Sequence, residues 1–156
     1  MKTPTLYAPD WIRGITIKQP WTACIVHGDK RIENRPKAWA PGWYLLHAGA
    51  ESGLDRAALR DPLVARTIRD HQLHFSAVLA VARITGAHHS TTDADGPCSP
   101  WAQPDFFHVQ LDDVHELPLP VPCRGALGPW RVPLDVFQQV LTQLPHLAAT
   151  FPEVTP

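Results

Sequence analysis

Lys30, Glu33 and Arg35 stand in the run Gly28-Asp29-Lys30-Arg31-Ile32-Glu33-Asn34-Arg35. Along an extended segment the side chains repeat every two residues, so Glu33 and Arg35 share a face and can pair, which orients the guanidinium. Arg31 has the same parity and widens the basic edge. Gly28 marks a helix-to-strand turn, which brings Lys30 to the rim of a cleft. Lys37, Trp39 and Trp43 follow. Such a set suits a nucleotide. A cation meets phosphate, a carboxylate accepts from an exocyclic amine, and an indole covers the base. The same charges also read as a solvated strand edge that discourages aggregation, with a surface ion pair of small energetic weight. For catalysis, Lys30 and Glu33 are the proton-transfer pair. Close pairing favours charged lysine, which opposes general-base action unless burial reverses it.

A second group of reactive side chains lies in residues 86–115: His88, His89, Asp93, Asp95, Cys98, His108 and His115. Any three could hold zinc if folding converged them. Their spacing follows no standard ligand motif, so the expectation is no metal and no cofactor. The three cysteines, Cys24, Cys98 and Cys123, are far apart and odd in number, which fits a reducing compartment and no disulfide framework. Cys24 lies in an apolar run and reads as a buried hydrophobe. Cys123 precedes Arg124, whose charge could activate the thiol, but no His/Asn partner set accompanies it. Arg124, Gly125 and Gly128 could aim backbone N–H groups at an anion, or simply make turns. Phosphate-loop, dinucleotide, nucleophile-elbow and zinc-protease motifs are missing from the sequence.

The elements that must position these residues follow from periodicity. Residues 14–18 alternate apolar and polar and predict a strand. Pro20 opens a short helix over 21–27 that Gly28 caps. Residues 31–35 are extended because Pro36 disfavours helix before it. Residues 43–48 and 76–85 are apolar enough for buried strands. A helix bent near Pro62 is expected over 54–65, and a long surface loop over 86–105. Alternation at Phe107, Val109 and Leu111 predicts another strand, and 128–132 a short one. Leu134, Phe137, Leu141 and Leu144 have helical spacing. Leu45, Val78, Leu79, Val81, Val109 and Leu111 are the expected core.

Two blocks carry a family resemblance. Residues 15–48, ITIKQPWTACIVHGDKRIENRPKAWAPGWYLLHA, and residues 121–130, VPCRGALGPW, resemble the ASCH family of the PUA-like superfamily. The resemblance covers roughly residues 14–133. It implies an α+β fold: a PUA-like, mostly antiparallel β-barrel flanked by short helices. It also implies a cleft for single-stranded RNA or a nucleotide, with Trp21, Lys30, Glu33, Arg35, Trp43 and Arg124 as ligand contacts. Some members of the family bind RNA or DNA, and others are ribonucleases. One branch hydrolyses the acetamide of acetylcytidine, which makes a small hydrolase of RNA or a modified nucleoside the alternative. Lys30 and Glu33 would then be catalytic, with His47 a further candidate for RNA cleavage. That branch has threonine where Glu33 stands, and its downstream carboxylate has no placed counterpart here.

The 156 residues suit one domain, with 1–13 as an N-terminal extension, 14–145 as the domain and 146–156 as a partly disordered tail. At 44% hydrophobic residues the chain can build a core, and a net charge of −1 means that nucleic acid must be met by a local patch. No long apolar run opens the sequence, so a cytoplasmic protein with no membrane partner is expected. Substituting Lys30 or Arg35 by alanine is expected to weaken binding of a nucleotide or RNA and leave the thermal midpoint nearly unchanged.

Overall fold

The computed structural model describes residues 2–152. Its strands are β1 (Ile12–Ile17), β2 (Ile32–Arg35), β3 (Gly42–Ala48), β4 (Ala77–His89), β5 (Phe107–Pro122) and β6 (Trp130–Arg131). Its α-helices are α1 (Trp21–His27), α2 (Pro62–Thr67), α3 (Leu134–Gln143) and α4 (Pro145–Ala148). The class is α+β, with one six-stranded sheet in the order β2-β5-β4-β3-β1-β6. Every pairing is antiparallel except β1 with β3.

The expected barrel is not closed. The ladder has two ends, β2 with four residues and β6 with two. Pro36 follows β2, while Pro129 and Pro133 bracket β6. Proline lacks the N–H that a longer ladder needs, so neither end extends to meet the other.

Successive residues of β3 serve opposite faces of the sheet. Trp43 and Leu45 join Val78, Val81, Trp130 and the α3 residues Phe137 and Val140 in one core. Tyr44 and Leu46 join Ile15, Ile17, Ile84, Val109, Leu111 and the α1 residue Ile25 in another. β4 is apolar at consecutive positions because both of its faces are covered. Each fully buried Ile, Leu or Val contributes about 1.5–3 kcal/mol. The expected core residues are all buried.

Several elements differ from expectation. Residues 54–65 do not form one bent helix. A 3-10 turn at Ala58–Arg60 precedes α2, and Pro62 takes the first turn of α2 behind an Asp61 cap that accepts from the Leu63 N–H. The expected loop over 86–105 is shorter, because β4 runs on to His89. β5 runs on to Pro122 despite three prolines. Pro118 and Pro120 fall where the register against β4 shifts between Val78 and Ala80, a bulge that needs fewer donors. The expected extension and tail are tied down. The Ala8 N–H donates to the Val132 carbonyl, and Phe151 packs on Trp11 and Trp43. Residues 1 and 153–156 of those two segments lie outside the described residues. Gly28 is extended, not left-handed. Its role is close approach, because a Cβ there would lie 2.3 Å from Thr67 Cγ2 and 2.9 Å from the Cys24 carbonyl. No helix among the described residues is long and apolar enough to cross a membrane.

Candidate ligand-binding cleft

The parallel pairing of β1 and β3 brings the C-terminal ends of both strands to one edge of the sheet. Thr16 and His47 become register partners there. β2 and residues 123–128, which follow β5, complete a cleft of about 690 Å³. Thr16, Trp21, Glu33, Arg35, His47 and Arg124 line it.

Glu33 is the electrostatic centre. One carboxylate oxygen lies 3.3 Å from Lys30 Nζ and the other 3.7 Å from Arg35 Nε. Lys30 is 1% exposed, and its ammonium also donates to the Ile32 carbonyl. It does not border the cleft. It lies behind Glu33, 5.9 Å from the centre of the Trp21 ring, and neutralises the carboxylate from within. The expectation that Lys30 emerges at the rim and borders the cleft is corrected accordingly.

Arg35 is half-buried and held from three sides. Its Nη2 donates to the Thr16 carbonyl at 2.9 Å, Glu33 faces its Nε, and its guanidinium lies 4.5 Å from the centre of the Trp39 ring. Nε is buried and makes no hydrogen bond, with the Glu33 carboxylate as its charged neighbour. Trp21 is oriented by its indole N–H, which donates to Asp55 Oδ2 at 3.1 Å. Arg124 is exposed on residues 123–128.

Trp43 lies away from this cleft. It is buried in the core that holds Leu45 and Phe137, edge-on to Phe151, near the start of β3, whereas the cleft lies at the His47 end of that strand. Arg31 does not widen the basic edge either. Its Nη1 donates to the carbonyls of Ile25, Gly28 and Lys30 and so satisfies the end of α1.

Reasoning from the sequence passed over Thr16 and weighed His47 only for RNA cleavage. His47 Nε2 meets the Cys123 carbonyl at 2.8 Å. A carbonyl only accepts, so Nε2 carries the proton and Nδ1 of the neutral ring accepts. The Thr16 hydroxyl donates to Nδ1 at 3.1 Å and itself accepts from the Trp130 indole N–H at 3.2 Å. Burial lowers the His47 pKa, against the opposing pull of the Cys123 carbonyl, so the ring is neutral at pH 7. Gly125 covers this chain. A Cβ there would fall 2.3 Å from Thr16 Oγ1 and 2.7 Å from the His47 ring, so only glycine passes. The alternation of β1 and β3 is visible in the sequence, but their parallel register is not.

Cys123 lines the cleft as a thiol. Burial first, then Asp135, pushes its pKa up to about 11, and the neighbouring Arg124 does not activate it. Cys24 is likewise pushed up to about 11, chiefly by burial. All three cysteines are free. Of the seven candidate ligands in residues 86–115, four converge: His88, Asp93, Cys98 and His108.

No protein-family model matches this chain, and no curated protein aligns with it significantly. The chemistry of the cleft therefore rests on its own residues. A half-buried indole, a clamped guanidinium, a neutralised carboxylate and an exposed basic rim of Lys18 and Arg124 border a space of mononucleotide size.

Proposed function

We propose that this chain is an ASCH-type, PUA-like domain that binds a nucleotide or the exposed base of single-stranded RNA in the cleft, in the cytoplasm. The observation that carries the reading is the convergence of Trp21, Glu33, Arg35 and Arg124 on one cleft from three separate segments. Both blocks that resemble the family contribute to it. Arg35 and Arg124 meet phosphate, Trp21 covers the base, and Glu33 accepts from an exocyclic amine. Titration with AMP, CMP and a short single-stranded RNA, followed by calorimetry, tests this. Saturable binding that Arg124→Ala weakens about tenfold supports it, the loss of one charge-assisted hydrogen bond. No binding of any of these at low salt overturns it.

One observation favours a second reading, a small hydrolase acting on RNA or a modified nucleoside. The Thr16 hydroxyl donates to an unprotonated imidazole nitrogen at the cleft, the arrangement of a nucleophile and its general base. Lys30 and Glu33 are committed to each other and serve the site by orientation. Turnover of acetylcytidine or RNA that Thr16→Val abolishes would establish this reading over plain binding.

A further inference from the structure

His88, Asp93, Cys98 and His108 come from three places in the chain. His88 is the penultimate residue of β4 and the cross-strand partner of His108 on β5. Asp93 follows the 3-10 turn Ser90–Thr92, and Cys98 lies further along the same connection. The spacing H-x4-D-x4-C-x9-H matches no standard motif, yet the four ligand atoms all lie within 4.8 Å of one another.

The hydrogen-bonding capacity of the cluster does not close by itself. His108 is 1% exposed, and its Nε2 lies 2.7 Å from the Gln103 carbonyl. That carbonyl can only accept, so the proton is on Nε2 and the Nδ1 of a neutral ring presents a lone pair to the cluster. Three atoms face that lone pair: Asp93 Oδ2 at 3.0 Å, His88 Nε2 at 3.3 Å and Cys98 Sγ at 3.4 Å. Asp93 Oδ2 is buried and has no hydrogen-bond donor. Its other oxygen is 2.9 Å from His88 Nε2. One extra proton on His108 would serve a single neighbour. One cation at the centre serves all four.

We propose that His88, Asp93, Cys98 and His108 bind a structural zinc ion. Two imidazoles, a thiolate and a carboxylate are the mixed nitrogen, sulfur and oxygen set that zinc accepts. A tetrahedron with zinc's bond lengths has edges of about 3.3–3.6 Å, and the separations of Nδ1 of His108 from His88 and Cys98 fall there. His108 also has an outer partner that fixes its ring, the Gln103 carbonyl, and the Gln110 side-chain amide, 3.2 Å from Nδ1 of His88, serves that ring once its oxygen is turned to accept the Nδ1 proton. Four protein ligands leave no open position, so the ion's work is to fasten residues 93–98 to the β4–β5 hairpin. The fastening reaches the cleft. His108 is the register partner of Asn34 on β2. The Asn34 side chain donates to the Trp101 carbonyl and accepts from the Gln103 N–H, both at 2.9 Å, while it lines the cleft beside Glu33 and Arg35.

The test uses the full chain, stripped with a chelator and titrated with Zn²⁺ alone, then with Co²⁺ as a spectroscopic substitute. The expected result is a single zinc ion per chain, a raised thermal midpoint, and tetrahedral cobalt bands with a thiolate charge-transfer band. Cys98 is exposed, so Cys98→Ser tests the ligand without disturbing the core. It should abolish the charge-transfer band and weaken zinc by more than about 100-fold, since even outer partners account for 10–100-fold. Asp93→Asn should weaken zinc as well. Substoichiometric zinc, or equal affinity in wild type, Cys98→Ser and Asp93→Asn, overturns the proposal. Equal affinity would assign the metal to exposed histidines elsewhere.

Discussion

Lys30 Nζ lies 3.3 Å from Glu33 Oε2, with the lysine at 1% exposure and the glutamate at 7%. A buried pair of this kind is strongly destabilised when one partner is removed, because the other charge stays behind unpaired. Lys30→Ala should therefore cost about 3–5 kcal/mol of stability. The double variant Lys30→Met/Glu33→Gln should recover part of that loss. Urea denaturation measures both. A Lys30→Ala protein with the wild-type midpoint would show the lysine to be a ligand contact and not a structural one.

Gly125 is the second place where a small change should matter. A Cβ at this position meets Thr16 Oγ1 at 2.3 Å. Gly125→Ala should cost about 1–3 kcal/mol by overpacking and displace residues 123–128 from the His47 ring. Ring-nitrogen chemical shifts of His47 report the broken Nε2 hydrogen bond. Unchanged shifts in a stable Gly125→Ala protein would contradict the packing described.

His47 should make stability depend on pH. Burial holds its folded-state pKa below the ordinary 6.5. As pH falls below that ordinary value, the unfolded chain takes up a proton that the folded ring resists. The unfolded state then binds more protons, so stability rises with pH across this window. It is complete above about pH 6.5 and is lost as the pH falls toward the folded-state pKa. His27 and His115, also lowered chiefly by burial, act in the same direction. Thermal midpoints from about pH 7.5 to 5 should fall in wild type and fall less steeply in His47→Asn. Identical slopes would remove His47 from the account.

Binding of single-stranded RNA should weaken with salt. Lys18, Arg35 and Arg124 border the cleft. For single strands each neutralised phosphate contributes about −0.7 to the slope of log K against log salt. Arg124→Ala should reduce the magnitude of that slope by about 0.7. An unchanged slope would mean that Arg124 touches no phosphate.

What the sequence by itself determined is local. The alternation of β1 and β3, the apolar run of β4, the proline-opened helix α1 and the shared face of Glu33 and Arg35 all depend on neighbours within a few residues, where side-chain period and backbone sterics act. The α+β class and the buried Leu45, Val78, Val81 and Val109 follow from the same periods. What only the tertiary structure decided is which distant segments meet. Parallel register sets Thr16 beside His47, 31 residues apart, and no local period encodes a register. The burial of Lys30 behind Glu33, the turning of Arg31 onto α1 and the burial of Trp43 at the far end of β3 from the cleft depend on how distant elements pack against each strand. His88 and His108 lie opposite each other only after β4 and β5 pair, and Asp93 and Cys98 reach them only when the connection folds back. Side-chain convergence of this kind is fixed by non-local hydrogen bonding and burial, so a ligand set with irregular spacing becomes visible only in three dimensions.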